Sequence, residues 1–271
     1  MRDKIFAALD EWAQIALDSG WCEQWQEGAI FPAEMVFFLA VCDGAGARRL
    51  VESGRQDGYS TMILAEYGKR RHVETISLDY ESDPDQARSC RTRLGGYSGL
   101  QLVKGEAHCL FGKYLLSGKK MAHACLMDGP KGKWAIALLL AASGLKETKI
   151  IALHNLDADK RYTGMIRKRA KGPVFYEDLG YDAKGAWTTL RAREREVLGA
   201  KGAIRSLDQS TLGVVSADDP GWRKMRRAFI PELFLYQPVL IRMLWRVGAW
   251  ALAARLYVLS YLLSRRFGLE G

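Results

Sequence analysis

Polar residues able to do chemistry recur in this chain at the ends of short apolar runs. In RLVESGRQDGYST (Arg49 to Thr61), Glu52 closes Leu50-Val51, and Gly54 and Gly58 follow four residues apart, before Ser60 and Thr61. Glycines there let backbone pass close to a ligand, and a Ser/Thr-capped helix start offers it free N–H groups. Asp79 closes VETISLD, 21 residues after Gly58, where a carboxylate can grip both hydroxyls of a ribose. Gly105 and Glu106 close a third run, and Asp128 closes AHACLMD and leads into GPKGK, which contains Lys131. A fifth run, IIALHN, ends in His154 and Asn155. Each of these has an ordinary structural reading beside the chemical one: a tight loop, an acid capping the next helix, or a hydrogen-bonded histidine. The chemical reading rests on their convergence at one edge.

The elements that bring them there follow from periodicity. Strands are expected at Leu50–Glu52, Val73–Asp79, Leu100–Val103, Ala122–Asp128 and Lys149–His154, with helices over 61–69, 84–94, 107–117 and 133–144 between them. Short apolar strands alternating with helices of this length are βαβ units. The fold class is therefore α/β, a doubly wound, mostly parallel Rossmann-like sheet, and such sheets bind ligands at the carboxyl ends of their strands. Ahead of the sheet, Ile5, Leu9, Trp12 and Ala16 recur at helical spacing over residues 3–18. A second apolar segment, Glu34 to Cys42, reads as core and completes an N-terminal helical cover over 1–46.

Bulk composition narrows the classes. The five cysteines (Cys22, Cys42, Cys90, Cys109, Cys125) are scattered, with no CxxC pair, which argues against a disulfide framework or zinc site and fits a reducing compartment. MRDKIFAALDEWAQ carries acids within its apolar pattern and reads as a helix rather than a signal peptide, giving a cytoplasmic expectation. The net charge is +9, but residues 222–271 hold nine Arg/Lys against two acids, so the rest is nearly neutral. A nucleic-acid partner is not expected from such a distribution. The loop lacks the third glycine of G-x-G-x-x-G, and no G-x-x-x-x-G-K-[ST] occurs.

Taken in order, ESGRQDGYST, SLD, GEA and MDGPKGK resemble the motifs of the class I S-adenosylmethionine-dependent methyltransferases, over about Arg49 to Lys160. The resemblance implies S-adenosylmethionine as cofactor, held by Glu52, Gly54, Gly58, Ser60, Asp79 and Glu106. Gln56 stands where many members have glycine, so its side chain either narrows the pocket or turns outward. DGPKGK is similar to the small-molecule O-methyltransferases of the catechol group. By that match Asp128, Lys131 and His154 face an acceptor hydroxyl, with Lys131 or His154 as base; a solvent-exposed Lys131 is the plain alternative. Metal-dependent members complete a magnesium site with an Asp-Asn pair, which makes Asp128 and Asn155 the candidate ligands. The imidazole of His154 in place of a carboxylate weakens a magnesium site and favours a transition metal if any binds; Asp157 and Asp159 stand close by as substitute ligands, and the reading inclines against a divalent metal. In the same family the last two strands form an antiparallel edge pair, here expected at Val174–Tyr176 and Trp187–Leu190, with 200–221 as loop. The α/β domain then spans 47–200, with linker and tail over 201–271.

The tail differs in kind. GWRKMRRAF is basic, and Val247 to Ser264 carries one charge, Arg255, in 18 residues. A central Arg disfavours a span, costing ~2.5–3.5 kcal/mol. Flanking arginines and aromatics suit a helix lying in an anionic membrane surface, peripheral at its inner face; packing on the sheet or a homodimer interface is the alternative. The chain reads as a methyltransferase acting on a small molecule or a glycan or lipid intermediate. The rival is a membrane-associated binding or scaffold protein that kept the fold without catalysis.

Overall fold

The computed structural model describes residues 2–105, 107, 110, 114–115, 121–129, 133–143, 145–156, 160–179, 185–202, 210–225 and 227. Helices α1 (Arg2–Asp18), α2 (Trp21–Gln24) and α3 (Pro32–Ala45) lead into β1 (Arg49–Ser53), α4 (Tyr59–Arg71), β2 (Glu74–Asp79), α5 (Pro84–Leu94) and β3 (Leu100–Lys104). Then come β4 (His123–Met127), α6 (Lys133–Ser143), β5 (Thr148–Leu153), α7 (Lys160–Arg167), a 3-10 turn (Tyr176–Leu179), α8 (Ala186–Ala200) and β6 (Gly213–Ser216). The six strands form one sheet in the order β3-β2-β1-β4-β5-β6. All neighbours are parallel except β6, which runs antiparallel to β5 with Ile151 opposite Val215. The first five strands lie within one residue of their expected bounds.

Period-two alternation divides the interior into two cores. Leu50, Ala124, Leu126, Ile150, Ala152 and Val214 point to one face, where α1, α3, α4 and α8 pack. Val51, Cys125, Met127, Ile151, Leu153 and Val215 point to the other, under α6 and α7. Because helices cover both faces, β1 and β4 are buried at every residue, which is why such strands read as continuous apolar runs. The α3 helix lies among α1, α4, α8 and β5. Met35 to Cys42 are accordingly buried all round, so this segment is core, as its sequence suggested.

Two expectations are corrected. Residues 187–190 are helix and Tyr176–Leu179 a 3-10 turn, so neither forms the edge pair. Trp187, Leu190, Glu194 and Leu198 are the buried positions of α8, a helical spacing that outweighs the β-branched Thr188 and Thr189. Its first turn is fixed from outside: the Trp187 N–H donates to Asp10 Oδ1 of α1 at 3.1 Å. The antiparallel edge strand is β6 instead, four residues within the stretch expected to be loop. No helix among the described residues is long and apolar enough to cross a membrane.

Candidate functional site

Chain winding reverses between β1 and β4, and there the loops that follow them touch. Gly54, at φ +82°, comes so close that a Cβ on it would lie 2.6 Å from the Gly129 nitrogen. Asp128 and Gly129 both donate their N–H to Ser53 O at 2.8 Å, and Gly54 N donates to Leu78 O at 2.8 Å. The floor of the switch point is thus bare backbone from two loops. Gly58, at φ +87°, caps α4, and a Cβ there would meet Cys90 Sγ of α5 at 2.9 Å.

Glu52 is fully buried beneath this floor. It accepts from Ser60 Oγ at 2.6 Å and from Thr61 Oγ1 and Ser77 Oγ at 2.5 Å. Burial pushes its carboxyl up to about 7, against the opposing pull of the three hydroxyl donors. Ser60 and Thr61 therefore do not cap α4 as their position suggested; an unpartnered buried carboxylate is costly, and their hydroxyls serve it instead. Glu52 and Ser60 together pin the start of α4 to β1 and β2. Neither offers a free polar atom to a ligand in this arrangement.

Asp79 lies half-buried at the end of β2 and binds the glycine loop. Its Oδ2 accepts the Arg55 N–H at 2.7 Å and the Gln56 N–H at 3.2 Å, and Oδ1 accepts that of Glu81 at 2.6 Å. Gln56 is in the left-handed region at φ +46° with its side chain in solvent, the outward of the two expected alternatives. Beside it the Arg55 guanidinium is buried, donating to Ser77 O at 2.9 Å and Val103 O at 3.0 Å and pairing with Glu81. Glu81, at φ +54°, also pairs with Arg91. Sequence reasoning passed over Arg55 and Glu81; the signal was an arginine within a glycine loop and an acid two residues past Asp79.

On the other side of the switch point, Asp128 and His154 meet. Asp128 Oδ1 and His154 Nδ1 lie 2.6 Å apart, with side-chain exposures of 11% and 3%. The adjoining Asn155 is left-handed at φ +60°. A second acid acts on this pair from the N-terminal cover. Glu34 of α3 is raised above the ordinary carboxylate range by burial, with His154 the largest opposing influence. Its carboxylate accepts the Leu212 N–H at 2.9 Å and the Thr211 hydroxyl at 2.8 Å, and Leu156 N in turn donates to Thr211 O at 2.9 Å. Glu34 thus ties the cover to the turn that carries His154. Its sequence signal was a lone acid three residues after Phe31, whose N–H it accepts at 3.2 Å.

The fold brings Glu52, Gly54, Gly58, Ser60, Asp79, Asp128, His154 and Asn155 to one edge. Glu106 and Lys131 lie outside the described residues. Among the described residues the donor set does not fit a magnesium site: Asp128 is already bound to an imidazole, and magnesium wants several hard oxygens; Asp157 and Asp159 lie outside the described residues. No group of three or more His, Cys, Asp or Glu able to hold a metal ion occurs among the described residues. A groove of about 550 Å³ between the end of α4 and residues 96–100 lies at the opposite edge and holds none of the candidates.

The sequence matches no family model, and no curated protein matches it. Solved structures with a related outline include the S-adenosylhomocysteine-bound Podospora anserina methyltransferase PaMTH1, 13% identical, TM-score 0.45, covering 77% of this chain and 87% of that one. A putative caffeoyl-CoA O-methyltransferase from Staphylococcus aureus is 9% identical, TM-score 0.43, over 75% and 90%. The S-adenosylmethionine-bound O-methyltransferase TomG from Streptomyces achromogenes is 17% identical, TM-score 0.41, over 71% and 78%. Likenesses of this strength assign no activity to the chain, whose chemistry has to come from its own residues.

Proposed function

We propose that this chain is an S-adenosylmethionine-dependent methyltransferase that methylates a hydroxyl of a small molecule or of a glycan or lipid intermediate. The observation that carries the reading is the switch point, where Gly54 and Gly129 meet backbone to backbone with Asp79 on one side and the Asp128–His154 pair on the other. The bare backbone of the glycine loop suits close approach of the methionine part, and Asp79 suits the ribose hydroxyls. Glu52 and Ser60 act from beneath, by holding that loop. When bound, the cofactor supplies an electrophilic methyl on a sulfonium. The protein's share is alignment of the acceptor oxygen with that carbon and removal of the hydroxyl proton.

His154 suits the second task. With its Nδ1 proton given to Asp128, Nε2 carries the lone pair that accepts the acceptor's proton as the new C–O bond forms and the C–S bond breaks. Near-complete burial keeps water from competing for that nitrogen. The second reading, a membrane-associated binding or scaffold protein that kept the fold without catalysis, draws on a different observation: Asp79 already accepts three backbone N–H groups, which leaves less of its carboxylate for a ribose. Isothermal titration of the full chain with S-adenosylmethionine and with its demethylated product tests both readings. Micromolar binding that weakens at least tenfold in Asp79→Ala supports the cofactor assignment. No binding of either compound would remove it, and binding without turnover on a panel of hydroxylated acceptors would favour the second reading.

A further inference from the structure

We infer that a composite basic surface at the amino edge of the sheet, built from residues 168–171 with 223–225 and 227, docks on anionic phospholipid headgroups. This goes beyond the methyl-transfer reading and does not depend on it. The two runs are some fifty residues apart in sequence, and the fold joins them. Asp219 accepts the N–H of Lys171 at 2.9 Å and of Gly172 at 2.7 Å. Gly221 passes directly against Arg169, leaving no room for a side chain at that position. Trp222 and Met225 sink into the core that holds Ile166 and Phe175, which leaves Arg223, Lys224 and Arg227 in solvent beside Lys168 and Lys171.

The nearby acids do not neutralise this surface. Lys168, Arg169, Lys171, Arg223, Lys224 and Arg227 outnumber Asp218 and Asp219, whose carboxylates keep their charge, and Asp178 is engaged by Arg167 at 2.9 Å. Lys168, Lys171, Arg223 and Lys224 form no ion pair among the described residues. The patch is therefore a cluster of free cations, the kind that anionic lipid attracts by about 1 kcal/mol each. Lipid is favoured over nucleic acid by the chain that leaves from this spot. Residues 228–271 continue from Arg227, and their Val247 to Ser264 stretch is apolar but for Arg255, a composition that suits an interface with hydrocarbon and is foreign to nucleic-acid binding.

The topology also fixes orientation. β6 runs antiparallel to β5, and Ala217 N donates to Lys149 O at 2.8 Å, so the chain emerges at the amino edge. The Asp128–His154 pair stands at the other end of the six-residue β5, about 20 Å away at ~3.3 Å per residue. That is more than two Debye lengths at physiological salt. Docked by this patch, the switch point faces water, and the acceptor arrives from that side.

Flotation of the full chain with phosphatidylcholine vesicles, with and without phosphatidylglycerol, tests the inference. Binding should require phosphatidylglycerol and collapse at high salt. The Lys168→Glu/Lys171→Glu double variant lies outside the tail and should bind at least about thirtyfold more weakly, the loss of two cations alone, with an unchanged thermal melt. Equal binding by that variant would overturn the composite surface while leaving a membrane-bound tail. Failure of the wild type to float, equal affinity for neutral vesicles, or displacement from vesicles by RNA at lower concentration than by soluble lipid headgroup would overturn lipid docking altogether. None of these outcomes touches the cofactor titration, which is run without vesicles.

Discussion

The two ends of the sheet carry polar residues in opposite ways. At the carboxyl edge the polar groups are buried or half-buried and bonded to one another: Glu52 under three hydroxyls, Asp79 on the glycine loop, Asp128 on His154. Three of the four non-glycine residues with left-handed backbone among those described, Gln56, Glu81 and Asn155, stand in the loops there. At the amino edge, where β6 leads into residues 217–227, the cations are exposed and largely unpaired. Strain and buried charge cost stability and persist where surrounding structure fixes them, as they do in binding and catalytic sites. Exposed cations cost little and act at a distance. One edge is thus built for short-range positioning and the other for long-range attraction.

If the carboxyl edge does the positioning, His154→Gln should lower turnover about 10²–10⁴-fold while leaving S-adenosylmethionine affinity within about twofold, measured with an acceptor found by screening. Equal loss of affinity would make His154 part of the binding framework and blur the distinction between the two sides of the switch point. Gly54→Ala should destabilise the fold by about 2–3 kcal/mol, since the left-handed φ costs ~1–2 kcal/mol and the Cβ would press on the Gly129 backbone. A denaturant midpoint within error of wild type would mean that the two loops are free to separate.

A third effect, spread over several pH units, concerns protonation. Burial raises Glu52 and Glu194 from 4.5 to about 7 in the folded chain. Folded protein therefore binds these protons more tightly than unfolded protein does. Their contribution is complete below pH 4.5 and is lost as pH rises through about 7, at most on the order of 3 kcal/mol for each. Stability should fall between pH 5 and pH 8, and Glu52→Gln should flatten that slope. A wild-type slope of the opposite sign over this window would overturn the assignment of burial as the dominant influence. Substitutions at Lys168 and Lys171 should leave the same slope unchanged, which separates the two edges.

Much of this architecture was legible in the sequence because it is local. Strand ends and helix spans follow from hydrophobic period and turn residues within windows of a dozen residues, and β1 to β5 fell within a residue of expectation. β6 was not legible, since four residues become an edge strand only by pairing with β5. Nor was α8, whose opening WTTL looks extended until Asp10 caps it and its buried stripe meets α1 and α3. Among site residues, chain order alone placed Glu52, Asp79, Asp128 and His154 at strand ends. Their partners were out of reach: whether a hydroxyl at Ser60 caps a helix or serves a buried acid depends on what the fold leaves unpaired nearby.

The sequence by itself determined the alternation of strands and helices, the glycine loop and the acids that close the strands, because these depend on neighbours in the chain. Tertiary structure alone decided that Glu52 is a clamp, that Asp128 and His154 form a pair on which Glu34 acts, and that two separated basic runs make one surface. Those outcomes depend on hydrogen bonds and burial between residues 8 to 178 positions apart, joined across separate elements, which no periodic pattern encodes.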